Sequence, residues 1–365
     1  MKNIKVDKIF LTITALLVAV GLFIFTSASF GLFARKGFSL QNLFFDQVVL
    51  GLFLGILLLF ATLKMPLKIL HRYALHLFVG AIVLNFLVFL PVIGFQHNGA
   101  SRWLNLGITS FQPSEVLKLF TVIYFAALLP IFKERIKNIR YSVGSIFGVL
   151  LIPAIVLFLQ KDTGTFMVIF FATSAMLIAS GAKVRHFLVI IAIAVVAVGV
   201  LALVRPHVKD RLLTYVDPAR DPQGASYQIQ KSLTAIGSGG IAGRGFGQSI
   251  QKFGSLPEPT GDSIFAVAGE EFGFVGGTII ILLFLFFGLR GLQIARTAPD
   301  SFSGLLAVGI VILIVSQSFA NIAAMLALIP LTGVPLVFVS HGGTALLFAF
   351  LEIGILLNIS QLKKT

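Results

Sequence analysis

The chain has 365 residues, 57% of them hydrophobic and only 12% charged, and its mean hydropathy is +1.00. A soluble domain carries about a quarter charged residues, so this composition excludes an ordinary soluble enzyme and indicates a single membrane domain over 1–365. The absence of cysteine excludes disulfide and thiol chemistry, and the formal charge of +14 is the kind that basic residues beside membrane spans produce, without nucleic acid as a partner.

Apolar runs of about twenty residues mark spans. Ten are predicted in chain order: Ile9–Phe33, Phe45–Leu63, Tyr73–Phe95, Ser114–Phe132, Ser142–Gln160, Phe166–Ala182, Phe187–Val204, Ile264–Leu289, Ser303–Ile329 and Thr344–Ser360. The fold class is therefore an all-α integral membrane protein. The first run has no small-residue cleavage pattern and is read as a retained anchor.

Charge sets the sidedness. With the N-terminus inside, the inner segments hold 16 basic residues: Lys2, Lys5 and Lys8, then Lys64, Lys68 and Arg72, then Lys133, Arg135, Lys137 and Arg140, then Lys183 and Arg185, then Arg290 and Arg296, then Lys363 and Lys364. The short outer loops hold four, at Arg35, Lys36, Arg102 and Lys161. That bias predicts cytoplasmic termini and a large extracytoplasmic loop over about 205–263, between the seventh and eighth spans. The polar clusters then face outward: His97–Glu115, Lys161–Thr165, the long loop and Pro330–Thr344. Nucleotide-activated substrates are scarce there, which points to a lipid-carried substrate.

Inside the long loop, Ala225–Ile236 places Ile229, Leu233 and Ile236 at helical intervals and is predicted to lie along the membrane surface. Gly237–Gly247 (GSGGIAGRGFG) follows and suits a tight turn or a close backbone approach. Gly237–Ala242 matches a dinucleotide fingerprint, but no strand precedes it in a βαβ unit, so the match carries nothing. No internal repeat is evident, so an inverted-repeat transporter has no support.

Ionisable groups at membrane depth mark function more often than structure. Gln251–Phe274 holds four carboxylates: Glu258, Asp262, Glu270 and Glu271. Asp262 sits at the mouth of the eighth span, where partial desolvation suits a general base and the start of an apolar run equally suits a helix N-cap. Glu270 and Glu271 point to different helix faces, and at least one is expected to be buried, either paired with a cation or in chemistry. Glu352 in the last span has the same two readings. Arg102 and Lys118 are either a diphosphate clamp or an interfacial Arg beside Trp103 and a salt bridge, since Glu115 lies three residues before Lys118. Asp162 is expected to cap a turn. His341, among scattered histidines, is a candidate for a catalytic or binding role.

Several blocks then coincide in order: Asn98–Trp103 (NGASRW), Gln112–Lys118 (QPSEVLK), Asp162–Gly164 (DTG), the glycines of Tyr227–Gly247, Leu256–Glu271 (LPEPTGDSIFAVAGEE) and Thr332–Thr344 (TGVPLVFVSHGGT). In these the chain resembles the SEDS family, the membrane glycosyltransferases of bacterial cell-wall synthesis typified by FtsW and RodA. Asn98, the Gln251–Lys252 pair and Thr344 look more like the FtsW type. The resemblance implies polymerisation of lipid II at the plasma membrane, beside a class B penicillin-binding protein and, for the FtsW type, other divisome proteins at the septum. The family's essential acid falls on Asp262, its LPE glutamate on Glu258, and its outer-face pair on Lys118 and Glu115. Arg102, Arg244, Lys252, Ser340 and His341 complete the expected substrate-binding set, and a magnesium or manganese ion held by acids is an alternative balance for the diphosphate. Thr260–Gly261 stands where the family usually has His-Thr or His-Ser, Ser263 replaces an aromatic, Val337 a Pro and His341 a Tyr. The rival reading is a lipid flippase, which needs the cations but no base.

Overall fold

The computed structural model describes residues 6–33, 44–97, 100–105, 107, 109–204, 206–217 and 226–362. The features expected at Lys2, Lys5, Arg35, Lys36, Asn98, Arg205, Lys363 and Lys364 lie outside those residues.

All ten apolar runs form helices, because a backbone in hydrocarbon must satisfy its own hydrogen bonds. Among the described residues seven are long and apolar enough to cross a membrane. These are α1 (Lys8–Phe33), α2 (Phe45–Lys64), α5 (Pro113–Leu128, continued to Phe132), α6 (Ile139–Leu159), α11 (Ile264–Arg296), α12 (Ser301–Met325) and α13 (Gly343–Gln361). Three further apolar helices occupy the other places: α4 (Ala74–Phe86), α7 (Thr163–Ala179) and α8 (Val184–Val204). The amphipathic connectors are α3 (Leu67–Arg72), α9 (Pro206–Val216) and α10 (Tyr227–Ser238). A small antiparallel sheet of β1 (Gly94–His97), β2 (Ala100–Asn105) and β3 (Ser110–Phe111) bridges α4 and α5. The protein is an all-α integral membrane protein that carries this small three-stranded sheet.

Helices α12 and α13 form the middle of the bundle. They are the most buried spans, whereas α1, α2 and α11 expose apolar faces. Polar side chains tie the bundle at its two ends. At one end Asp7 pairs with Arg290 at 2.9 Å and its N–H donates to Ser360, while Asn358 donates to the carbonyls of Thr62 and Met65. At the other end Asn85 donates to the Pro113 carbonyl at 2.9 Å, Gln160 donates to that of Asn85 at 2.9 Å, and Gln47 donates to that of Ser340 at 3.3 Å. The basic connectors after α2, α5, α7 and α11 share the first end; the predicted outer clusters share the second.

The eighth span departs from expectation. It runs on to Arg296 and is broken at Gly273, whose φ of 64° and ψ of −160° are not helical. A break there would orphan the carbonyls of Glu270 and Glu271 and the N–H groups of Phe274 and Val275. The glycine segment supplies all four partners. Arg244 N and Gly245 N donate to Glu270 O (3.0 Å) and Glu271 O (2.9 Å), and Phe274 N and Val275 N donate to Gly240 O (2.9 Å) and Ile241 O (3.1 Å). The close backbone approach read from Gly237–Gly247 is thus present, and its partner is the interior of a span.

Helix α10 forms where expected but turns a different face inward. Ile229, Ser232 and Ala235 are buried against α11, while Leu233 is 42% exposed. Small residues at two of these positions admit the neighbouring helix closely, a preference that apolar spacing does not report.

Gly243 has φ +83°, and a Cβ there would lie 2.2 Å from the Glu271 carbonyl oxygen. Gly243→Ala is therefore expected to cost at least about 1–3 kcal/mol in backbone strain alone and to lower the apparent Tm of the detergent-purified protein. Gly199→Ala, with nothing within 4 Å of the added carbon in α8, does not lower it.

Candidate active site

Asp262 is placed by its backbone. The loop before α11 turns at Glu258, a non-glycine residue with φ 44°, whose carbonyl accepts from Gly261 N at 3.0 Å and Ser263 N at 3.1 Å. Three consecutive carbonyls are then held by three different groups. Thr260 O accepts from His341 N at 2.6 Å, Gly261 O from Ser340 Oγ at 2.8 Å, and Asp262 O from Asn321 Nδ2 at 2.8 Å. Asn321 also donates to Val334 O at 2.9 Å, and Ser340 Oγ accepts from Leu336 N at 2.8 Å. The ends of α11 and α12 and the segment leading into α13 are thereby locked around one partly buried carboxylate. The N-cap position of α11 belongs to Ser263, with no side-chain cap bond, so Asp262 is not the cap residue. The Ser263 hydroxyl instead accepts from Gln228 of α10 at 3.0 Å.

His341 stacks on Phe25 with ring centroids 6.1 Å apart, and its Nε2 is buried with no hydrogen-bond partner among the described residues. Burial holds its pKa below the usual 6.5, against the opposing pull of the Asp46 and Glu258 carboxylates. Ser340, His341, Glu258 and Asp262 therefore come together at one end of the bundle.

The expected pair on α5 is present deeper in. Lys118 Nζ lies 2.7 Å from Glu115 Oε2 and donates to Gln317 Oε1 of α12 at 2.6 Å. Glu115, Lys118, Gln317 and Glu352 line a cavity of about 10 Å³, room for one water. Gln317 and Asn321 are one helical turn apart, so α12 carries polar contacts from this pair to the backbone of Asp262. Arg102 does not join Lys118 in any described contact. Its guanidinium faces Asp162 at 3.9 Å and donates to the Lys161 carbonyl. Asp162 caps α7, accepting from Thr165 N at 3.3 Å and Thr165 Oγ1 at 2.9 Å.

Lys252 and Arg244 belong to a separate cluster around the Gly273 break. Lys252 and Glu271 are both fully buried, with Nζ 2.6 Å from Oε1, and Ser27 donates to the same carboxylate. Glu270 accepts from Ser249 Oγ at 2.6 Å and from the N–H groups of Ile250 (3.0 Å) and Gln251 (3.2 Å), with Arg244 Nε at 3.5 Å. Of the two readings for Glu270 and Glu271, the structure realises pairing with cations. Lys252 has no exposed surface for a substrate. Among the described residues no group of three or more histidine, aspartate or glutamate side chains converges as metal ligands do, so no step is routed through a divalent ion.

A family model described as "Cell cycle protein", covering FtsW, RodA and SpoVE, matches residues 7–365. The chain belongs to the FtsW/RodA/SpoVE family. It is 35% identical over 360 residues to "Stage V sporulation protein E" of Bacillus subtilis (strain 168), covering 99% of this chain and 98% of that one. It is 36% identical over 362 residues to "Probable peptidoglycan glycosyltransferase FtsW" of Escherichia coli O6:H1, covering 98% and 86%. A solved structure described as "Structural coordination of polymerization and crosslinking by a peptidoglycan synthase complex" contains a similar chain, with a TM-score of 0.80 and 27% identity over 97% of each. The Thermus thermophilus rod shape determining protein RodA shares the fold, with a TM-score of 0.70 at 24% identity over 100% of each chain.

In this SEDS chain the residues that sequence reasoning missed are amides and hydroxyls: Gln47, Gln228, Gln317, Asn321, Ser27 and Ser249. Two of them left a readable signal, because Gln317 and Asn321 stand four apart in an otherwise apolar span, where a polar side chain needs a partner. The others meet groups distant in sequence: Gln47 the Ser340 carbonyl, Gln228 the Ser263 hydroxyl, and Ser27 and Ser249 the carboxylates of Glu271 and Glu270.

Lys252→Met strands the Glu271 carboxylate and is expected to cost about 3–5 kcal/mol, while adding Glu271→Gln restores much of that loss. Thermal unfolding of the two variants measures this. A double variant no more stable than the single one would show that Lys252 does not serve the pair. For His341, the unfolded chain takes up a proton near pH 6.5 and the folded chain only at lower pH. Stability is complete above that value and falls as pH drops below it. Between about pH 7.5 and about pH 5.5 the wild type is expected to lose more apparent Tm than His341→Gln.

Proposed function

We propose that the protein is a peptidoglycan glycosyltransferase that polymerises lipid II, with Asp262 as general base. The observation that carries this reading is the three-carbonyl clasp. It fixes the backbone on both sides of Asp262, a residue only partly buried at this end of the bundle, in a chain 36% identical to a relative named as such an enzyme. The bias of the basic connectors supports an orientation in a bacterial inner membrane with this end outside the cytoplasm.

Asp262 accepts the proton of the acceptor's GlcNAc 4-hydroxyl. That oxygen forms a bond to the anomeric carbon of the donor's MurNAc, the bond from that carbon to the diphosphate oxygen breaks, and the configuration inverts. A positioned base contributes about 10²–10⁴ in rate, so orientation and stabilisation of the departing diphosphate supply much of the rest. Lys118 and Arg102 are the cations for that role, Lys118 already pre-positioned by Glu115 and Gln317. The buried Nε2 of His341, without a protein partner among the described residues, suits a sugar or phosphate oxygen. A class B penicillin-binding protein is the expected partner, in keeping with the similar chain found in a synthase complex. The FtsW-like details favour septal synthesis within the divisome.

Asp262→Asn keeps the backbone bond from Asn321 and is expected to leave folding unchanged while reducing polymer formed from purified lipid II by at least about a hundredfold. Detergent solution offers no compartments to transport between, so polymer made there separates the enzyme from a flippase. Near wild-type polymer from Asp262→Asn would remove the assigned base.

A further inference from the structure

At the end of the bundle opposite Asp262, two connectors bring their charges to one groove. The segment between α5 and α6 contributes Glu134, Arg135, Lys137 and Asn138, and the start of α8 contributes Arg185. The shallow space they border is about 540 Å³ and is wide open to the surroundings. Three cations face one acid there. Among the described residues neither Glu134 nor any of the three cations forms an ion pair, and the three cations outnumber the acid, so the groove keeps an excess of positive charge. Arg135 lies over the ring of Tyr141, 5.5 Å from its centroid, which sets its guanidinium at the groove wall. The groove also opens at the first turn of the 21-residue α6, whose helix dipole adds to the positive potential.

The other wall is apolar. Ile139 and Tyr141, both exposed, line the groove, and Val184 and Leu188 at 64% and 61% exposure continue beyond it along α8. Directly past the cations, therefore, the surface becomes the one that faces hydrocarbon. A soluble anion would use only the first half of this arrangement; an anionic amphiphile uses both.

We propose that this groove binds the phosphate headgroup of an anionic glycerophospholipid from the adjoining leaflet, with Arg135, Lys137 and Arg185 on the phosphate and the acyl chains along α6 and α8. Basic segments at a membrane surface attract anionic lipid, and a groove that gathers three cations beside an aromatic wall converts that general attraction into a site. The assignment does not depend on the reaction at Asp262, because the groove lies at the far end of α5 from Glu115.

The test uses the full chain purified in neutral detergent, with thermal unfolding followed as phosphatidylglycerol, phosphatidylcholine, inorganic phosphate or a polyprenyl diphosphate is added. Phosphatidylglycerol is expected to raise the apparent Tm by about 3 °C or more at saturation, with phosphatidylcholine and phosphate giving no rise. Arg135→Gln/Arg185→Gln, both at exposed positions, abolishes the rise and leaves the lipid-free Tm unchanged. Lys64→Gln/Lys68→Gln, which removes two exposed charges from the same end of the bundle, keeps it. An equal loss in both double variants would mean charge alone and overturn the site. A rise that survives Arg135→Gln/Arg185→Gln would overturn it too. A rise with phosphate alone, or with the polyprenyl diphosphate but not phosphatidylglycerol, would assign the groove to a free anion or to a carried substrate and reject the proposal.

Discussion

The interruption of α11 at Gly273 is the constraint on which the candidate site depends. An unbroken helix through Ile264–Arg296 would satisfy its own backbone and have no reason to hold the glycine segment. Breaking it frees two carbonyls and two N–H groups, and each such orphan at membrane depth costs several kcal/mol. The backbone of Gly240–Gly245 takes all four, which draws the long loop against the middle of a span. The Glu271–Lys252 and Glu270–Ser249 contacts then secure the next stretch of that loop. By Leu256 the chain has few paths left to the start of α11.

That anchoring explains the division of labour among the acids. Glu270 and Glu271 are consumed by pairing: both are fully buried, and cations, hydroxyls and backbone N–H groups surround their oxygens. Asp262 is held differently, through its carbonyl by Asn321 and through its neighbours' carbonyls by Ser340 and His341. The backbone at Asp262 is thus fixed by α12 and by the segment that leads into α13.

The pair on α5 is linked to the same scaffold by α12, the helix that packs between α5, α7 and α11. Gln317 receives Lys118, and Asn321, one turn along, receives the backbone of Asp262. A shift of α12 would move both together. The cation and the carboxylate that the proposed reaction requires are therefore set by one element, even though 144 residues separate them in the chain.

Composition and apolar run length were enough to determine the membrane class and the ten helical segments, because lipid tolerates little else than helices with internally satisfied backbones. The i,i+3 spacing allowed the Glu115–Lys118 pair, the Asp before Thr-Gly-Thr pointed to the cap of α7, and the run of glycines suited a tight turn or a close approach. Each of these is a local property, written in neighbouring residues. What the glycines approach, which acids are consumed in ion pairs, that Lys252 is sealed inside, and that Ser263 rather than Asp262 takes the cap position were decided only by the tertiary structure. These depend on partners tens to hundreds of residues away, as with Ser27 and Glu271 or Ser340 and Gly261. A hydrogen bond between groups so distant leaves no periodicity in the sequence, since its geometry exists only once the helices have packed.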